Sequence, residues 1–191
     1  MKIYQSVIAI ATSIIFVSGC SNSTSNPSGE LTATPAASLT QRDLCNSLIT
    51  FFTDKLNAVG LRAVPLVNSD SSIELSGICR VASNDSEIGW VLVRDAPSDS
   101  DPTKGVHGFK SISEAGQTVW VRDYRADTEN PDQEVTFATR IGEWNGELKI
   151  DGSKARTVNG QLQLTDENKR SAAQFIVELT KNLSDTGKRP K

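Results

Sequence analysis

The sequence predicts an α+β domain in which a helix, a run of strands and a second helix follow one another. Three observations predict it. Apolar residues recur every three or four positions near both ends of the domain, they alternate at every second position between these ends, and turn residues separate the alternating runs. This order favours a largely antiparallel sheet of about six or seven strands, with both helices packed on one of its faces.

Composition indicates one globular domain without a nucleic-acid partner. The 191 residues are 37% hydrophobic and 23% charged, and their formal net charge is -3. A chain of this length corresponds to about one domain, and it lacks the positive charge that holds nucleic acid. The single histidine, His107, excludes a His-rich metal site. We therefore expect no nucleic acid, no metal and no other cofactor among its ligands.

The first predicted element is a helix that begins after Thr40 and ends before Gly60. Thr40 is a candidate N-cap with Asp43 three residues later, which is the spacing of a capping box. Gly60 is a candidate for the residue that follows a helix in a left-handed conformation. Between them, apolar residues recur at steps of three and four: Leu44, Cys45, Leu48, Ile49, Phe52, Leu56 and Val59.

Strands are predicted next, where apolar residues alternate with polar ones between turn residues. They cover residues 62–67, 73–81, 88–94, 106–112, 118–124 and 134–144. Asn145-Gly146 and Asn159-Gly160 have apolar flanks, so each predicts a two-residue hairpin turn. A final helix begins near Thr165 and Asp166 and carries the apolar stripe Ala172, Phe175, Ile176, Leu179 and Leu183.

The first twenty residues resemble the signal segment of a bacterial lipoprotein. Lys2 precedes an apolar run from Val7 to Val17, and Val17-Ser18-Gly19-Cys20 resembles a lipobox. The run is about 11 residues long, whereas a helix that spans a bilayer needs about 20. The resemblance implies that Cys20 is lipidated and becomes the first mature residue, on the outer, extracytoplasmic face of the cell membrane. The alternative is an ordinary secretory signal that contains a cysteine by chance.

Four segments follow from this interpretation. Residues 1–19 are a signal peptide, 20–38 are the lipidated Cys20 and a disordered tether, 39–184 are a single α+β domain, and 185–191 are a basic tail. The tether is rich in Ser, Thr and Pro, a composition that cannot bury enough apolar surface to fold. Its expected role is to space the domain from the lipid surface.

The two remaining cysteines are expected to form a disulfide. Cys45 lies on the apolar stripe of the first helix, and Cys79 shares the apolar parity of a predicted strand. Both thiols therefore face the same interface, and disulfides persist outside the cytoplasm. Two buried free thiols are the alternative. A redox or zinc role is disfavoured because no Cys-x-x-Cys motif and no third ligand are present.

The segments around these cysteines resemble a group of actinobacterial lipoproteins of unknown function. The resemblance, which extends over about a quarter of the chain, is carried by Leu44-Cys45-Asn46-Ser47-Leu48, by Gly60, and by Gly77-Ile78-Cys79-Arg80. It implies a lipid-anchored α+β domain with a disulfide, and it implies no activity.

Catalytic motifs are absent from the sequence. It contains no G-x-S-x-G motif, and His107 is the only histidine that a Ser-His-Asp triad could use. No Gly-rich phosphate loop follows a predicted strand. We therefore expect no catalytic, cofactor-binding or metal-binding residue, and we interpret the domain as non-enzymatic.

Aromatic residues supply the one candidate recognition site. Trp120, Arg122 and Tyr124 share the parity of a predicted strand and have the side-chain types that dominate protein interfaces. Together, Trp90, Trp120 and Trp144 could line a ligand cleft, or they could be core residues.

Three hypotheses for function follow. The first is a membrane-anchored, non-catalytic domain that binds an envelope protein of unidentified type. The second is a carrier or chaperone of an apolar ligand such as a lipid, which requires an internal apolar cavity of about 300 Å³ or more. The third is a hydrolase, which requires two buried carboxyl groups with raised pKa values in one cleft.

The lipid anchor is testable by replacing its cysteine. We expect Cys20→Ala to move the full-length chain from the membrane fraction to the soluble fraction, because each buried acyl methylene contributes about 0.8 kcal/mol to membrane binding. Fractionation with immunoblotting measures this. Ser23→Ala, three residues beyond the lipobox, is the matched control and stays with the membrane. A Cys20→Ala chain that still sediments with membranes contradicts the prediction.

Overall fold

A seven-stranded antiparallel sheet forms the centre of the part of the chain that the structure describes. This computed structural model describes residues 38–65, 68–98, 101–126 and 134–186, so the predicted signal peptide, Cys20 and most of the predicted tether and tail lie outside it. The helices are Gln41–Asp54 (α1) and Asp166–Thr186 (α2), and the strands between them are Leu61–Pro65 (β1), Ser76–Ser83 (β2), Ser86–Asp95 (β3), Lys110–Glu114 (β4), Gln117–Asp123 (β5), Glu134–Ile141 (β6), Trp144–Asp151 (β7), Arg156–Thr157 (β8) and Gly160–Gln161 (β9).

The strand order in the sheet is β1-β2-β3-β7-β6-β5-β4, and β8 and β9 form a separate two-stranded ribbon. Tight turns join β2 to β3, β4 to β5 and β6 to β7, whereas the connection from β3 to β4 crosses from the middle of the sheet to its edge. This architecture confirms the predicted α+β class, with a helix at each end of the domain and an antiparallel sheet between them.

Helix α1 begins where the sequence predicts and ends earlier. The Thr40 side chain accepts a hydrogen bond from the Asp43 N–H, and the Asp43 carboxylate accepts one from the Thr40 N–H, which completes the capping box. The predicted continuation to Gly60 is wrong. Asn57 has a left-handed backbone, and Ala58 forms an isolated bridge to Thr157 of β8. This bridge draws the chain away from the helix axis one turn after Asp54.

The predicted hairpin turn at Asn145-Gly146 is also wrong. Both residues lie inside β7, and the turn between β6 and β7 is Gly142-Glu143, where Gly142 has φ 59°. Gly146 is needed for packing instead. A Cβ atom there would lie 2.0 Å from the Thr180 hydroxyl oxygen of α2. The glycine therefore marks a close approach of helix to strand, which the local sequence does not distinguish from a turn.

Smaller differences concern where strands begin. The strand expected at 106–112 is β4, which starts four residues later, and the strand expected at 73–81 starts at Ser76. Ile73 lies in the loop before it, where its N–H donates to the Leu39 carbonyl and its side chain fills the space above Gly77. In the ribbon, Thr157 pairs with Gly160, so the turn residues are Val158-Asn159 rather than Asn159-Gly160.

Each helix packs closely on particular strands. Leu44 of α1 lies over Gly77 of β2, and the buried Gln41 side chain donates a hydrogen bond to the Ile78 carbonyl. Helix α2 packs against β6 and β7. The side chains that fill the core and are almost fully buried include Leu48, Phe52, Ile88, Phe137, Leu148, Ile150, Ile176 and Leu183. No helix among the described residues combines the length and the hydropathy that crossing a bilayer requires.

The predicted disulfide between Cys45 and Cys79 is confirmed. It joins α1 to β2 across a Cα–Cα distance of 5.3 Å, and the two residues are separated by 34 positions in the chain. Both are buried in the hydrophobic core. The helical period and the strand period, which are independent signals, therefore direct the two sulfur atoms to one interface.

The disulfide is expected to contribute strongly to stability. Closing a loop of this length in the unfolded chain is worth about 3–4 kcal/mol in the chain-entropy account. We expect the paired substitution Cys45→Ala with Cys79→Ala to lower the free energy of unfolding by at least about 3 kcal/mol. Urea denaturation at equilibrium measures it.

Reductant provides the matched control for this measurement. Reductant lowers the free energy of unfolding of the wild-type chain to a similar extent. It leaves that of the variant with Cys45→Ala and Cys79→Ala unchanged. An equal effect of reductant on both proteins contradicts the assignment of the stability to this bond.

Candidate functional site

One face of the sheet carries half-exposed aromatic and charged side chains, whereas the other carries buried aliphatic ones. On β3, Val91 and Val93 are fully buried, whereas Trp90 and Leu92, which alternate with them, are partly exposed. We call the partly exposed side the tryptophan face. Its central members are the partly exposed Trp90, Leu92, Trp120, Arg122, Glu147 and Lys149 and, between them on β6, the buried Thr136 and Ala138.

Strand register arranges these residues in two rows. In the first row, Trp90 pairs with Lys149, Lys149 with Thr136, and Thr136 with Arg122. In the second row, Leu92 pairs with Glu147, Glu147 with Ala138, and Ala138 with Trp120, as the same register requires. Trp90 and Trp120 are therefore three strand spacings apart, about 14 Å, and do not form one aromatic cluster.

The three predicted tryptophans do not share a surface. Trp144 is the first residue of β7, with the parity of Gly146 and Leu148, and only 6% of it is exposed. It therefore belongs to the buried side of the sheet. The expected set that could line a cleft is split between core and surface.

Arg122 is the centre of the predicted recognition site. Its guanidinium carbon lies 4.8 Å from the centre of the Tyr124 ring and 5.0 Å from that of Phe109. Tyr124 begins a short 3-10 turn directly after β5, and Trp120 lies two residues earlier on the same face as Arg122. Two cation–π contacts therefore hold the guanidinium in a defined position.

Phe109 is the member of this group that the sequence does not reveal. It lies within the strand predicted at 106–112 but immediately precedes β4, and it reaches Arg122 only because β4 lies beside β5. The adjacent Gly108 has φ 89°, a backbone conformation that favours glycine, and it lies beside the Arg122 side chain. An aromatic residue next to a Gly-x-x-Gly segment is the only local signal.

Three buried polar atoms on the tryptophan face have no hydrogen-bond partner among the described residues. They are the Nε of Arg122, the Oγ1 of Thr136 and the Nδ2 of Asn145. Arg122 and Thr136 are directly paired across β5 and β6. Burying a polar group without a partner costs about 1–3 kcal/mol, so these atoms are expected to hydrogen-bond to water or to a binding partner.

Glu147 is a second unusual group on this face. Burial raises the pKa of its carboxyl group above the ordinary value, while the positive charges of Arg122 and Arg94 oppose that rise. Its cross-strand neighbours are Leu92 and Ala138 rather than a second acid. Glu147 therefore has no second carboxyl group among its cross-strand neighbours, whereas the hydrolase hypothesis requires two buried carboxyl groups in one cleft.

Other charges on or near the face are paired. Lys149 contacts the Glu134 carboxylate at 2.6 Å, with both side chains partly buried. At the end of β5, hydrogen bonds from Arg125 lower the pKa of Asp123, and burial opposes this. Arg125 also donates to the Leu164 carbonyl, which ties the end of β5 to the start of α2. Among the described residues Arg122 forms no ion pair, and its guanidinium contacts the two aromatic rings.

The β3–β4 connection covers part of the tryptophan face. Pro102 lines a small void of about 10 Å³ with Leu92 and Glu147, which is room for about one water molecule. The connection is held by Asp101, whose carboxylate accepts hydrogen bonds from the N–H and the hydroxyl of Thr103, both at 2.7 Å. His107 is exposed in the same connection.

A larger concavity is lined by residues of the two helices. It is an open groove of about 520 Å³ between α1 and α2, where the Phe51 and Phe175 rings stack with their centres 4.6 Å apart. Its rim is mainly polar, with Asp43, Asp54 and Glu178. No group of three metal-ligating side chains occurs among the described residues.

No protein-family model, no curated protein and no solved structure matches this chain. The residues of the tryptophan face and their geometry are therefore the basis for a proposal about function.

The buried charge of Glu147 predicts a pH effect on stability. A raised pKa means that folding favours the protonated carboxyl group. The ionised group therefore lowers stability above that pKa, and the loss disappears as the pH falls below the unfolded-state value. We expect Glu147→Gln to increase the free energy of unfolding near pH 7 and to leave it nearly unchanged near pH 3, where both side chains are neutral.

Denaturation curves at both pH values measure this difference. Glu143→Gln, at an exposed acid in the turn before β7, is the control and shows no such gain. If Glu147→Gln is less stable than wild type near pH 7, attraction to Arg122 and Arg94 outweighs burial and the prediction is wrong.

Proposed function

We propose that this chain is a lipid-anchored envelope protein whose domain binds another protein through the tryptophan face and catalyses no reaction. The signal segment that ends at Cys20 supports the anchor and an extracytoplasmic location. The Cys45–Cys79 disulfide is consistent with an oxidising compartment. The observation that carries the binding role is Arg122, held between Phe109 and Tyr124.

We further infer that both helices pack on one face of the sheet, opposite the tryptophan face. Phe52 of α1 lies against Gly89, and Thr180 of α2 lies against Gly146. Gly89 has the same strand parity as Val93, and Val93 is paired with Gly146. Because directly paired residues project to the same side, these contacts support a two-layer arrangement.

The chemistry of the site suits recognition of a partner that carries a carboxylate. Trp, Tyr and Arg are the side chains most enriched at binding hot spots, and Trp120, Tyr124 and Arg122 supply one of each. Contact with two rings limits the rotamers of Arg122 before binding, so less side-chain entropy is lost when it pairs. Its lack of an ion pair among the described residues leaves its positive charge for the partner.

Dense packing behind the sheet favours surface recognition over internal carriage of a lipid. A Cβ atom at Gly89 would lie 2.6 Å from the Phe52 ring, and one at Gly77 would lie 3.1 Å from Leu44. These side chains occupy the space between sheet and helix that a carried ligand requires. A partner that binds at the tryptophan face needs no such space.

Site-specific photo-crosslinking in cells tests the proposal. We expect a photoreactive residue at Trp120 in the full-length chain to yield a discrete protein adduct. We expect the added substitution Arg122→Ala to reduce its yield about 30-fold, since a hot-spot residue contributes about 2 kcal/mol or more.

The same photoreactive residue at Val158 is the control, because this side chain is 79% exposed and lies on the β8–β9 ribbon, away from the face. Equal adducts at both positions, or an adduct that is insensitive to Arg122→Ala, contradict the proposal. An adduct with lipid instead of protein supports the carrier hypothesis.

A further inference from the structure

In the part of the chain that the structure describes, the edge of the sheet at β4 is unprotected. Among the described residues, β4 is paired only with β5, and it contains neither a proline nor a bulge. At the opposite edge, β1 ends in Pro65, which has no N–H to offer to another strand. Ile112, in the middle of β4, is a large apolar residue that is 42% exposed. Such an edge is a template for a further strand.

Hairpin geometry determines which backbone groups of β4 point outward. Ala115-Gly116 joins β4 to β5 with φ values of 49° and 74°, as in a type I′ turn. In such a two-residue hairpin the flanking residues, Glu114 and Gln117, exchange hydrogen bonds. Alternation then directs the N–H and C=O groups of Ser111 and Ser113 away from β5.

The side chains of β4 are complementary to those of the same strand run backwards. The strand reads Lys-Ser-Ile-Ser-Glu, so an antiparallel copy centred on Ile112 places Lys110 opposite Glu114 twice. It also places Ser111 opposite Ser113, which are the residues whose backbone groups point outward. The register that matches the charges is therefore also the register that satisfies the hydrogen bonds.

We propose that β4 pairs with β4 of a second copy of this chain, through a two-fold axis at Ile112. The pairing forms four backbone hydrogen bonds, two ion pairs between Lys110 and Glu114, and one Ile112–Ile112 contact. Each Ile112 borders a notch of about 230 Å³, which is also lined by Val121 and Phe137 and, from α2, by Asp166, Lys169 and Arg170. The result is a continuous sheet of fourteen strands with closed symmetry.

This interface is small, which determines how it must be detected. Two five-residue edges bury less than the roughly 1,200 Å² of a stable dimer interface, so the pairing depends on a high local concentration. Covalent trapping captures such a contact, whereas dilution during purification dissociates it. The proposal does not depend on the tryptophan face, because Lys110, Ile112 and Glu114 lie on the other side of the sheet, with Val119.

The experiment introduces one cysteine on the two-fold axis. In the full-length chain, Ile112→Cys places two thiols in a non-hydrogen-bonded pair, where Cβ atoms lie about 4.5–5.5 Å apart and can oxidise with a small adjustment. We expect mild oxidation to yield a disulfide-linked dimer on non-reducing electrophoresis, at least about tenfold more than from Val158→Cys, at a residue that is 79% exposed. The wild-type chain controls for Cys20, and a peptide map verifies that Cys45 and Cys79 remain joined.

Charge exchange then tests the register. Adding Lys110→Glu to Ile112→Cys places like charges opposite each other twice and is expected to lower the dimer yield. Adding both Lys110→Glu and Glu114→Lys restores the opposite charges and is expected to restore the yield. Equal yields from Ile112→Cys and Val158→Cys, a failure of the double exchange to restore dimer, or an adduct with a different protein at position 112 would overturn the proposal.

Discussion

Close approach of the helices to three glycines is the constraint on which the rest of the structure depends. Gly77, Gly89 and Gly146 lie directly beneath helical side chains, and a Cβ atom at any of them would clash within about 3 Å of a neighbour. This approach buries Phe52 and Ile176 completely and brings Cys45 within bonding distance of Cys79. The side chains of the tryptophan face have the opposite strand parity to Gly89 and Gly146, so they project from the other side of the sheet.

The features that could be predicted are those with a local cause. The Thr40 capping box depends on residues three positions apart, and the disulfide follows from two periodic patterns that each define a face. The shared side of Trp120 and Arg122 follows from period two within one strand. In each case the signal lies within one helix or strand. It is either the spacing of a cap or the period that defines a face.

The features that could not be predicted depend on neighbours that are distant in the chain. Gly146 has the sequence context of a turn, but its conformation is determined by Thr180 and Ile176 of α2. Because the sequence predicts a turn at Asn145-Gly146, it assigns Trp144 to the preceding strand and gives no role to Glu147. Phe109 meets Arg122 only through the pairing of β4 with β5. Strand periodicity therefore predicts that Trp120 and Arg122 share a face, but it predicts neither the contact of Arg122 with Phe109 nor the partial burial of Glu147.

The disulfide also determines how the domain transmits mechanical force. A pull on the chain from its N-terminal side reaches Cys45 within the second turn of α1 and passes through the sulfur bridge directly into β2. The intervening segment, 34 positions long, carries none of the load, so about 115 Å of chain cannot be drawn out. Strand β2 is paired on both sides, and shearing it requires breaking both ladders together. A domain held by its N-terminal side would therefore resist extension through its sheet rather than through its first helix.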